Sequence, residues 1–89
     1  MKEPYLEVTY RKGRALAAYF YLQRSARQKS VRTRQVRGGL IVDFAANGKP
    51  IGIEITAPEQ LTLSALNRLL RELGCAQVRR ADLAPLRAA

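Results

Sequence analysis

An α+β domain is the fold class this sequence predicts: a small antiparallel sheet of four or five strands in meander order, with one C-terminal amphipathic helix packed on one face. Three observations predict it. Apolar side chains recur at every second residue at Leu6, Val8 and Tyr10 and again at Leu16, Ala18, Phe20 and Leu22, the period of half-buried strands. The dipeptide Asn47-Gly48 sits between two apolar runs, "LIVDFA" and "IGIEI", as a hairpin turn does. Five leucines between residues 62 and 73 fall at helical spacing. A chain of 89 residues has room for one domain, 1–89, with a single thin core.

Taken in order, the strands lie within residues 5–55. The stretch "RKGR" from Arg11 ends the first strand as a turn, and the second strand presents Ala17, Tyr19 and Tyr21 on the face opposite Phe20. The polar run "QRSARQKS" is a loop or hairpin tip, and residues 31–37 form a weakly alternating strand that Gly38-Gly39 turns back as a two-residue hairpin. With a type I′ turn at Asn47-Gly48, Phe44 faces Ile51, Asp43 faces Gly52, Val42 faces Ile53 and Leu40 faces Ile55, so one face of the hairpin is wholly apolar. Pro50 has no N–H to give to a ladder, which marks its strand as a sheet edge at that end. In the helix, about 62–73, Leu63, Leu66, Leu69, Leu70 and Leu73 share one stripe, Thr62 is the N-cap and Gly74 the stop. The tail, 75–89, adds a short turn at Ala81–Ala84 that Pro85 ends.

Composition excludes several function classes. There is no histidine, so neither a Ser-His-Asp nor a Cys-His pair can form. One cysteine and seven scattered acids supply no metal-ligand spacing, and Gly38, Gly39, Gly48 and Gly52 join strand to strand rather than strand to helix, unlike a phosphate loop. No enzyme activity, cofactor, metal or small-molecule substrate is expected. Asp43 and Glu54 form the closest carboxylate pair, and an Arg34–Asp43 cross-strand ion pair accounts for them better than a catalytic dyad does. The lone thiol, the acids near the N-terminus and the absence of a long apolar run predict a cytoplasmic protein with no export signal and no membrane span.

The net charge is +9, from 16 basic and seven acidic residues, and no acid stands between Glu7 and Asp43. Two functions follow from what remains. Tyr19 and Tyr21 share the sheet face turned away from the helix and are candidate interface residues, which predicts a non-enzymatic protein-interaction module acting as a homodimer. The alternative is a nucleic-acid-associated protein that binds phosphates through the basic segment Arg11 to Arg37, with Arg24, Arg27, Lys29, Arg32, Arg34 and Arg37 as the contacts and the tyrosines available to stack on bases.

The strand carrying "AYFYL", then "GGLIVDFAANGKPIGIEI" with Asp43, the Asn47-Gly48 turn and Ile51 to Ile55, resembles the small bacterial proteins grouped as domain of unknown function 2283. The resemblance runs from about Leu6 to Ile55 and implies a small antiparallel sheet, with the helix as an extension. It implies no activity. This chain departs from the family pattern at "RKGR", where acids are usual, and at Phe44-Ala45, where a second acid usually follows Asp43.

Overall fold

The computed structural model describes residues 4–22 and 29–86. Five strands, β1 (Tyr5–Arg11), β2 (Arg14–Tyr21), β3 (Arg32–Val36), β4 (Leu40–Phe44) and β5 (Pro50–Ile55), form one antiparallel sheet. A 3₁₀ turn at Pro58–Gln60, helix α1 (Leu63–Glu72) and a second 3₁₀ helix, Arg80–Leu86, follow.

The strand order is β1-β2-β5-β4-β3, which corrects the expected meander. β5 pairs with β2 on one side and β4 on the other, so Pro50 begins the central strand rather than an edge. The first residue of a strand is a place where the missing N–H is tolerated even at the centre of a sheet. Burial explains the order. Ile51, Ile53 and Ile55 are at most 1% exposed and need neighbours on both sides, whereas the arginine-bearing β3 is suited to an edge, where charge discourages pairing with another chain.

The β4–β5 turn is longer than expected, and a bulge restores the register of the core pairs. At the β4–β5 turn the Ala45 carbonyl accepts the Gly48 N–H (2.9 Å) and the Ala45 N–H donates to the Lys49 carbonyl (2.9 Å). Gly48 alone has positive φ (+86°), so this is a type I turn closed by a left-handed glycine and not type I′. The longer loop pairs Phe44 with Pro50; Ile51 is then skipped, and Asp43–Gly52, Val42–Ile53 and Leu40–Ile55 stand opposite each other as expected. Gly48→Ala should therefore lower stability by about 1–2 kcal/mol, the cost of a left-handed non-glycine residue, while Asn47→Ala, which loses only a bond from the Lys49 N–H to Asn47 Oδ1, should cost less. Equal urea midpoints for the two variants would rule this turn out.

The type I′ geometry occurs instead at Lys12-Gly13, where both residues have positive φ (+54° and +78°) between paired Arg11 and Arg14. Between Thr9–Ala17 and Tyr10–Ala15 the register skips Leu16, which ends 55% exposed instead of joining Ala18, Phe20 and Leu22 in the core. The β3–β4 connection contains three residues, not two, because Val36 pairs with Leu40. That shift sets Thr33, not Arg34, opposite Asp43, so the expected Arg34–Asp43 ion pair does not form; Arg34 faces Val42 on the other side of the sheet.

Helix α1 packs Leu66, Leu69 and Leu70 against Phe20, Leu40, Val42, Ile53 and Ile55. Thr62 caps its start by accepting the Ala65 N–H (3.1 Å). Its end is a Schellman motif, with the Cys75 N–H on the Leu70 carbonyl (2.8 Å) and the Gly74 N–H on that of Arg71 (3.0 Å). Residues 78–86 are no loose tail. Asn67 both donates to the Val78 carbonyl and accepts its N–H, and the Tyr10 hydroxyl donates to the Pro85 carbonyl. Leu83 and Leu86 are buried in the same core. Pro85 lies inside the 3₁₀ helix instead of stopping it, since its fixed φ suits that geometry. Asp82 accepts the Arg79 N–H (2.8 Å), and this backbone bond, stronger in effect than the slight desolvation, holds its carboxyl below the usual range.

Candidate functional site

The strand register divides the sheet into two unlike faces. The helix, Leu61, Leu83 and Leu86 cover the face of Ala18, Phe20, Leu40, Val42, Ile53 and Ile55. The other face contributes nothing to that buried cluster. Reading across its strands, one row is Tyr5, Tyr21, Gly52, Asp43 and Thr33, and the next is Glu7, Tyr19, Glu54, Ile41 and Gln35.

Three tyrosines form a continuous aromatic row on this open face. Tyr5 stacks on Tyr21 with ring centroids 4.5 Å apart and planes 17° from parallel, and Tyr21 meets Tyr19 edge to face at 4.7 Å. Polar contacts fix their ends: the Tyr19 hydroxyl donates to Asp43 Oδ2 (2.6 Å) and that of Tyr21 to Glu7 Oε1 (3.3 Å). To reach Asp43 on β4 from β2, the Tyr19 ring must cross the central strand. It does so directly over Gly52, where a methyl group would overlap both the ring and the hydroxyl. Gly52 is thus the floor on which the tyrosine lies.

Among the described residues, the charged side chains in the tyrosines' rows are acids. Glu7, Asp43 and Glu54 occupy these rows, and none of the row positions holds lysine or arginine. The three-residue turn places Arg32 and Arg34 on the opposite face of β3, where their guanidinium groups sit 4.9 and 5.6 Å from the Phe44 ring centroid. Arg37 is in the β3–β4 turn and Lys29 precedes β3, both exposed; Arg24 and Arg27 lie outside the described residues. Among the described residues the ion pairs are Arg14–Glu59 (2.7 Å) and Arg79–Asp82 (3.6 Å), neither of them on the open face.

The sequence pattern identified Tyr19 and Tyr21 but not Tyr5, Glu7 or the role of Gly52. Counting back from "RKGR" without a bulge sets Tyr5 opposite Phe20; only the skipped Leu16 brings it to Tyr21. No group of three or more metal-binding side chains is found among the described residues, and no described helix is long and apolar enough to cross a membrane. The Cys75 thiol, half-buried at the helix end, is pushed up from its ordinary pKa by burial, which disfavours the reactive thiolate.

The family model for "Protein of unknown function (DUF2283)" matches residues 17–57. The matched stretch starts at Ala17 rather than Leu6 and takes in most of β2 together with β3, β4 and β5; β1 and the helical elements α1 and Arg80–Leu86 lie outside it. No curated protein and no solved structure matches the chain. Residues 17–57, which contain Tyr19, Asp43 and Gly52, are thus similar to this family of proteins of unknown function.

Proposed function

We propose that the protein is a non-enzymatic protein-interaction module acting as a homodimer, with the open sheet face as its contact surface. The observation that carries this is the Tyr5–Tyr21–Tyr19 row, stacked and tethered by its hydroxyls on the sheet face opposite the one that the helix covers. Aromatic side chains already held in place lose little rotamer freedom on association, so their burial is converted to affinity efficiently. A small domain also gains by covering a face it cannot cover alone. The absence of histidine supports a role without catalysis, and the lone thiol supports a reducing, cytoplasmic setting.

Light scattering over about 1–100 μM, the range in which interfaces of modest area assemble, should report a dimer. Tyr21→Ala should weaken it at least tenfold, the scale of losing one central aromatic anchor. A monomer throughout that range would reject the proposal. A second reading, phosphate binding, draws on the exposed Arg32, Arg34 and Arg37 along one edge, none of which has an ion-pair partner among the described residues. Stacking of bases on the tyrosines fits it poorly, since Glu7, Asp43 and Glu54 repel the phosphates such bases bring. A labelled mixed-sequence duplex titrated at two salt concentrations tests that reading, which requires a steep salt slope reduced by Arg34→Ala.

A further inference from the structure

We infer that the two copies meet open face to open face but offset along the strands, so that the basic rim of each lies over the acidic centre of the other. The inference rests on the homodimer reading and specifies its geometry.

The open face has a distinctive charge layout. Its centre carries Glu7, Asp43 and Glu54 and no cation at the row positions, in a chain with 16 basic residues and seven acids. The ends of the same sheet are basic. At one end stand Arg11, the last residue of β1, and Lys12 and Arg37 in the turns, and at the other end Lys29 precedes β3 and Lys49 precedes β5; all five are exposed. Two such faces superposed without offset set acid against acid and rim against rim. Sliding one copy by roughly 10–13 Å, about half the length of an eight-residue strand at ~3.3 Å per residue, sets a basic turn over each acidic centre. A two-fold axis makes both contacts at once, so the assembly closes as a dimer and does not propagate. The tyrosine row then becomes the apolar middle of an interface whose charged pairs fix its register.

The test is a charge swap. Glu7→Lys with Glu54→Lys makes the face basic throughout; Arg11→Glu with Arg37→Glu puts acid on the rim. All four sites are exposed, and thermal unfolding followed by circular dichroism checks that each variant is folded. Each variant alone should dimerise at least tenfold more weakly than the wild type, whereas their equimolar mixture should pair with near wild-type affinity, and wild-type dimerisation should weaken as salt rises from about 0.05 to about 0.5 M. If a reversal proves unfolded, the neutral pairs Glu7→Gln with Glu54→Gln and Arg11→Gln with Arg37→Gln should each give an intermediate weakening. A wild-type dimer indifferent to the substitutions, or reversals that weaken it without rescue on mixing, would overturn the offset geometry and leave the homodimer standing. A wild type that stays monomeric overturns both, and if it then binds a labelled oligoarginine peptide, the occupant of the face is a foreign cationic segment.

Discussion

Gly52→Ala should lower stability by about 2 kcal/mol, although alanine is ordinarily a mild replacement in a strand. The backbone at Gly52 has no positive φ to strain, so conformation does not oppose the change, and the smaller entropy of the unfolded chain favours alanine by about 0.4–1 kcal/mol. The opposition is steric. A Cβ at this position overlaps the Tyr19 ring, which is rigid and is held at both sides, by Asp43 through its hydroxyl and by Tyr21 against its edge. Expelling it breaks a hydrogen bond to a carboxylate worth about 1.5–3 kcal/mol and disturbs an aromatic contact worth about 0.5–1.5 kcal/mol. These losses outweigh the entropy gain. The double-mutant cycle separates the cause: in a Tyr19→Ala background, Gly52→Ala should cost less than about 0.5 kcal/mol, because nothing remains above it to collide with. Urea denaturation that gives the same change in both backgrounds would show that the tyrosine is not what Gly52 accommodates.

The same residues show what the sequence made legible and what it did not. Period-two alternation located β1 and β2, the Asn47-Gly48 dipeptide between two apolar runs located β4 and β5, and the apolar pairing of Val42 with Ile53 and Leu40 with Ile55 stood even though the turn type was different, because the core fixes register more strongly than the loop does. The helix was legible from its leucine stripe and both of its ends from Thr62 and Gly74. Strand order was not, since alternation says which face a residue occupies and nothing about which strand lies beside it. β5 at the centre instead of the edge is a consequence of its isoleucines being buried from both sides. At the site, one-residue displacements decided everything. The skipped Leu16 creates the Tyr5–Tyr21 stack, and the third turn residue, Arg37, separates Arg34 from Asp43. A bulge or an extra turn residue leaves hardly any trace in composition yet exchanges the two faces of a strand, which is how Arg34, expected opposite Asp43, comes to lie on the other face.

The C-terminal residues carry the largest expected effect. Ending the chain after Gln77 should cost about 4–6 kcal/mol, enough to bring a domain of this size close to its unfolding threshold at 25 °C. The sequence of this segment, "VRRADLAPLRAA", shows neither period clearly, and its contribution is visible only in the fold. Leu83 and Leu86 retain 4% and 9% of their surface and close the core beside β1, where Leu6 and Val8 pack against the same cluster. Two leucines withdrawn from water account for about 1.5–3 kcal/mol each. Their removal also exposes the sheet face they cover, and it frees Tyr10 from the Pro85 carbonyl and Asn67 from Val78. β1 should suffer most, since it is an edge strand whose other side has only β2. Hydrogen exchange of the truncated chain should therefore quicken first at Leu6 and Val8, ahead of Val42 and Ile53. The single substitutions Leu83→Ala and Leu86→Ala should each cost about 2–3 kcal/mol and leave the β4–β5 hairpin protected. A truncated chain whose urea midpoint matches that of the full one would place the stabilising core entirely within the sheet and α1, and the 3₁₀ helix would then be a passenger on it.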